Sequence, residues 1–160
     1  MRSSNKSLMP LNRLLYASDA CIRDGDVPAL IQVHEMAHAS AKRNAAAHLT
    51  GALVFVDDQF IQVLEGEPRV IEDTFERICC DLRHTNVRLI DLVSVSERMF
   101  PEWGMKVLSQ TQETSIALRD DLQHIHFLVG VNASVAVEQM RKCIDTQRSA
   151  EQTMAHAGAR

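Results

Sequence analysis

The chain has 160 residues, 46% of them apolar and 24% charged, with a formal net charge of −4, which reads as one soluble domain with room for a core. No apolar run approaches the roughly 20 residues of a membrane helix, and no basic block argues for nucleic acid or an anionic membrane. Met1 to Pro10 has no apolar stretch of signal-peptide length, so a cytoplasmic protein is expected, with residues 1–10 disordered. Cys21, Cys79, Cys80 and Cys143 stand in no C-x-x-C spacing and are expected as reduced, small apolar residues in or near the core.

Arg13 to Ser18 reads as a strand in which Leu14, Tyr16 and Ser18 share one face. A polar loop, Cys21 to Asp26, follows, with Asp26 as the expected N-cap of a helix through Leu30, Val33, His34, Ala37 and Ala41 that ends near Asn44. Leu49 to Val56 and Phe60 to Leu64, split by Asp57-Asp58-Gln59, read as a hairpin. After Gly66 and Pro68, a second helix spans about Val70 to Leu82. Its apolar stripe is Val70, Ile71, Phe75 and Ile78, and its wet face is Arg69, Glu72, Asp73 and Glu76. Asn86 to Ser96 and Met105 to Leu108 are further strands. Ser115 to Leu128 and Ala133 to about Met154 are helices.

Strand, helix, hairpin, helix, strand is the order of a ferredoxin-like α+β sandwich, βαββαβ, here with a mixed five-stranded sheet. Both helices cover one face, and the other needs a lid, which the tail helices supply. The expected division is a core over residues 11–110 and a C-terminal helical cap over 111–160.

Alternation places Gln62 on the same strand face as Phe60 and Leu64. A buried amide left without partners costs about 1–3 kcal/mol per unsatisfied group, and Tyr16, on the neighbouring central strand, is a candidate partner. A self-satisfied core pair and a functional pair both fit that pattern. His34-Glu35-Met36-Ala37-His38 is a literal H-E-x-x-H. The continuation of a zinc protease would need glycine at 41 and histidine at 44, where Ala41 and Asn44 stand, so no metal site is expected.

Five segments in order carry a resemblance. They are Tyr16-Ala17-Ser18; the run from Asn44 to Leu53; Phe60-Ile61-Gln62-Val63-Leu64-Glu65-Gly66; Asp81-Leu82-Arg83-His84; and Arg98 to Met105 with Phe100 and Trp103. Over residues 12–110 the chain resembles the BLUF family, sensors of blue light using FAD. The resemblance implies a flavin held between the two helices on one sheet face, with FAD favoured and FMN possible. It implies that Tyr16 donates an electron and a proton to the excited flavin, and that Gln62 bridges Tyr16 to the flavin's N5 and C4 carbonyl and switches orientation. By the same resemblance Asn44 bonds the ring's polar edge, Asp81, Arg83 and His84 line the pocket, and Trp103 and Met105 carry the change into the last strand. Arg43 departs from the family pattern; it can donate to the second carbonyl or extend into solvent. Residues 22–26 look like an insertion.

A photoreceptor of this type is not an enzyme. Its expected output is a change in contacts with an unidentified downstream protein partner or within a homo-oligomer. The alternative is a flavin-free ferredoxin-like interaction domain.

Overall fold

The computed structural model describes residues 9–22, 25–110 and 114–158. The disorder expected for the first eight residues lies outside that range, as do two residues of the expected insertion.

Five strands form one mixed sheet: β1 (Asn12–Ala20), β2 (Thr50–Val56), β3 (Gln59–Gly66), β4 (His84–Ser94) and β5 (Lys106–Ser109). Their order is β4-β1-β3-β2-β5. β1 pairs antiparallel with β3 and β4, β3 antiparallel with β2, and β2 parallel with β5. Four helices complete the fold: α1 (Ala29–Ala46), α2 (Pro68–Cys79), α3 (Ile116–Val129) and α4 (Ala133–Ala157). This is the expected ferredoxin-like arrangement.

The alternation of side chains along each strand decides which core each residue joins. On one face, Val33, Met36 and Ala37 of α1 pack on Leu53, Phe55 and Phe60. Beside them, Ile71 of α2 packs with Leu14, Tyr16 and Leu49. On the other face, Leu15, Ala17, Ala52, Val54, Ile61 and Val63 meet Leu122 and Ile125 of α3 and Val137, Met140 and Ile144 of α4. The tail helices are therefore the lid of the second face, and Phe100 is buried with them.

Four expectations are corrected. Asp26 does not cap α1: Pro28 holds the N-cap position, and its carbonyl accepts from the backbone N–H of Ile31 at 3.0 Å. α2 stops at Cys79, leaving Leu82 exposed in the turn to β4, which begins at His84. Gln59 belongs to β3, so the hairpin loop is Asp57-Asp58, both at positive φ (49° and 56°), as a two-residue turn matching strand twist requires. Cys21, Cys79 and Cys80 are exposed, and only Cys143 of the four joins the core; the first three lie in loops and at a helix end, where their small size earns no burial.

Candidate functional site

The register of the central strands sets Tyr16 of β1 directly opposite Gln62 of β3. Both side chains point to the α1/α2 face. The Tyr16 hydroxyl donates to Gln62 Oε1. Gln62 Nε2 in turn donates to Met105 Sδ at 3.5 Å. This pairing fixes the amide's orientation, because the thioether is an acceptor only and a turned amide would present it with a second acceptor.

These residues floor a cleft of about 210 Å³ between α1 and α2. Met36, Ala37 and Leu53 line one side; Thr74, Ile78 and Asp81 come from α2 and its C-terminal turn. Asn44, 4% exposed, closes the α1 end, with Nδ2 donating to Gly104 O at 2.9 Å. Arg43, Arg77 and Arg83 also line the cleft. Arg43 is exposed and bonds Ser40 Oγ at 3.3 Å, so its guanidinium stands at the cleft's polar rim.

Burial pushes the Tyr16 phenol far above its ordinary range, with the charges of Asp81 and Cys79 adding to it, so the hydroxyl keeps its proton at any physiological pH. His84 pairs through Nδ1 with Ser18 Oγ at 2.8 Å and packs on Phe60, ring centroids 4.7 Å apart. Burial lowers its pKa, which keeps the imidazole neutral at pH 7. Asp81 accepts from Arg83 Nε at 2.9 Å, which holds the carboxyl down to about 2 despite partial burial.

Of the nine residues singled out in the sequence, Tyr16, Arg43, Asn44, Gln62, Asp81, Arg83, His84 and Met105 meet at this cleft. Trp103 does not. It packs on the opposite core, against the α3/α4 layer, and the guanidinium of Arg141 lies 5.3 Å from its ring centroid. Strict alternation would put residues 103 and 105 on one face; the bend at Gly104, before β5 starts, sends them to opposite faces. Met36, Ala37, Ser40, Thr74, Arg77 and Ile78 also line the cleft without having been singled out. For all but Arg77 the signal was helical spacing: 36/37, 40 and 44 on α1, and 71, 74 and 78 on α2 with 81 just past its end, are turns of one stripe. His34, Glu35 and His38 are exposed on α1, where His34 pairs with Ser109 Oγ at 3.3 Å. Among the described residues no three His, Cys, Asp or Glu side chains are placed to share a metal.

A flat, neutral, polar-edged ring needs apolar walls and a few fixed donors and acceptors. The walls are Met36, Ala37, Leu53 and Ile78. Gln62 Nε2, whose one described partner is a weak sulfur acceptor, has donor capacity to spare at the cleft floor. The residues fit a flavin.

The family model for BLUF, sensors of blue light using FAD, matches residues 11–106. The chain belongs to the BLUF family. It is 30% identical to the blue light- and temperature-regulated antirepressor BluF of Escherichia coli (strain K12), over 76% of this chain and 28% of that protein. It is 33% identical to the photoactivated adenylate cyclase subunit beta of Euglena gracilis, over 54% of this chain and 10% of that protein. The chain thus spans a small part of the curated relatives it matches. The ground-state structure of BlsA is 28% identical and superposes with a TM-score of 0.61, covering 76% of this chain and 74% of that one. This BLUF chain is a flavin-binding blue-light sensor, and no helix among its described residues is long and apolar enough to cross a membrane.

Proposed function

We propose that this protein binds FAD in the α1/α2 cleft, uses the Tyr16–Gln62 pair as its light switch, and passes the result to a protein partner through the α3/α4 layer. The observation that carries this reading is the Tyr16–Gln62–Met105 chain on the cleft floor: a buried phenol, an amide and a thioether in hydrogen-bonded series. The bound flavin supplies absorption of blue light and an oxidising excited state. The chain's own groups do the rest. Tyr16 holds its proton against Gln62 Oε1, in a buried site where a phenolate is strongly disfavoured, so loss of an electron from the ring is coupled to loss of that proton to the amide. Gln62, once the phenol no longer donates, has no reason to keep Oε1 toward Tyr16 and can turn or tautomerise. Asn44 is clamped by Gly104 O and presents its remaining amide edge to the cleft. Arg43 and Arg77 flank the mouth with positive charge suited to a phosphate.

FMN would occupy the same ring site, since the lining described is that of a ring pocket; FAD is preferred on the family's description. The sensor role is one of regulated protein contact and not of catalysis, with homo-oligomer contacts as one form that this regulation takes. The cleft-forming core over residues 11–110 and the cap over 111–160 act as sensor and output layer. The cytoplasm is its proposed compartment. The test is the visible spectrum of the purified chain, dark and after blue illumination, with identification of the flavin released on denaturation. A flavin band with a small, reversible red shift and released FAD is expected. A chain that is colourless and cannot be loaded with FAD or FMN overturns the reading in favour of a flavin-free interaction domain.

A further inference from the structure

The run from Arg98 to Met105 joins the two faces of the sheet, and it is held by a specific set of bonds. At its start, Arg98 donates to Glu65 O and His48 O, each at 2.8 Å. Glu65, fully buried, accepts from the backbone N–H of Met99 at 2.7 Å and of Phe100 at 2.9 Å. At its end, Trp103 O accepts from Gly51 N at 3.0 Å, Asn44 holds Gly104 O, and Met105 meets Gln62. The middle packs on the α3/α4 core through Phe100 and Met99 and, among the described residues, takes its hydrogen bonds from the tail from one side chain. Arg141 of α4 donates from Nη1 to Met99 O at 2.8 Å and to Glu102 Oε2 at 3.0 Å, and from Nη2 to Glu102 Oε1 at 3.2 Å. Its Nε bonds Asp145 one turn further along α4, and its guanidinium lies against the Trp103 ring.

An ion pair this close to solvent adds little to stability. Its contribution is geometric: a rigid planar fork reads the position of the carboxylate, the carbonyl and the indole together. We infer that Arg141 is the positioning residue that couples the cleft to α4, an inference that rests on the photoreceptor reading above. Gln62 Nε2 is the described hydrogen-bond partner of the Met105 side chain on the cleft floor. When the amide turns, that bond is lost and the acceptor-only sulfur faces the carbonyl oxygen, which pushes Met105 from its place. Gly104, bent and closely packed on α1, joins Met105 to Trp103 on the far face, and the displacement is carried along the backbone toward that indole. There the first polar group it meets from the tail is the Arg141 fork, so the movement reaches α4 as a changed bond set at Met99, Glu102 and Trp103.

The experiment is amide hydrogen exchange on the flavin-loaded full chain, in the dark and under continuous blue light, with the visible spectrum recorded on the same samples. The parent is expected to show the red shift and a light-dependent change in exchange across α4 around Arg141. Arg141→Gln should keep the red shift in full and lose the light-dependent change in α4. Arg141→Lys, retaining the charge without the fork, should recover part of it. Should Arg141→Gln fail to fold, Glu102→Gln weakens the same link from the loop side and should reduce the same difference. A parent that shifts without any change in α4 overturns the inference, as does an Arg141→Gln chain whose α4 still responds fully. A parent with no spectral shift removes the photoreceptor reading, and the coupling falls with it.

Discussion

Tyr16 and Gln62 are the residues on which the chemistry turns, and their burial sets what each substitution does. Tyr16→Phe removes the described donor to Gln62 Oε1, a loss of about 1–3 kcal/mol in a buried site. The variant should bind flavin yet lose the normal photocycle in time-resolved absorption; an unchanged photocycle would remove Tyr16 as the donor. Asp81 gives a pH prediction. Its folded pKa, about 2 against an ordinary 3.8, is depressed by the Arg83 bond, so its contribution is complete above the unfolded value and fades as pH falls from about 4 toward 2. Both partners are partly exposed, so the effect is modest. Asp81→Asn should lower Tm at pH 7, and the gap to the parent should narrow at pH 3 in thermal unfolding; a constant gap would contradict the shift. At this scale the sequence was informative where a polar residue interrupted an apolar strand face, as Gln62 does. It was uninformative about Trp103, because the bend at Gly104 that overrides alternation arises from tertiary contact.

Among the elements, the segment entering β5 is the most tightly specified. A Cβ at Gly104 would lie 2.5 Å from Ala41 O of α1, a backbone atom that cannot step aside. Gly104→Ala should therefore cost about 1–3 kcal/mol and pull Asn44 off its carbonyl, weakening flavin retention on gel filtration; retention equal to the parent would show that the segment has slack. Glu65→Leu would leave Arg13 and the N–H groups of Met99 and Phe100 without their buried acceptor. Breaking a buried pair in this way costs about 3–5 kcal/mol, read as a fall in chemical-denaturation midpoint; a loss below 1 kcal/mol would mean the cage relaxes or admits water. Strands and helices were legible from period alone, but their ends were not. Asp26 looked like a cap, yet Pro28 starts α1 without any side-chain cap, and the stripe of α2 continues to Asp81 although its backbone leaves the helix at Cys79.

Over the whole molecule, the sheet is covered twice, once by a layer with a cleft and once by a layer without one. Leu15, Val54, Ile61, Val63 and Phe100 are buried with α3 and α4, so a chain ending after residue 110 would expose a contiguous apolar face and should self-associate in light scattering. A monodisperse truncated chain would show that the tail is dispensable as a lid. The order of elements made the two-layer plan readable from the sequence, since two helices can cover only one face of a sheet. Trp103 and Met105 were singled out by resemblance, but the bond of Arg141 to their segment was not readable, because it joins residues far apart in the chain through side-chain geometry. The Tyr16–Gln62 pair on the cleft floor is tested first by the light-minus-dark visible spectrum of the flavin-loaded Gln62→Leu chain beside its parent. The parent should shift to the red and Gln62→Leu, with flavin still bound, should not; a normal shift in Gln62→Leu would remove the amide from the switch.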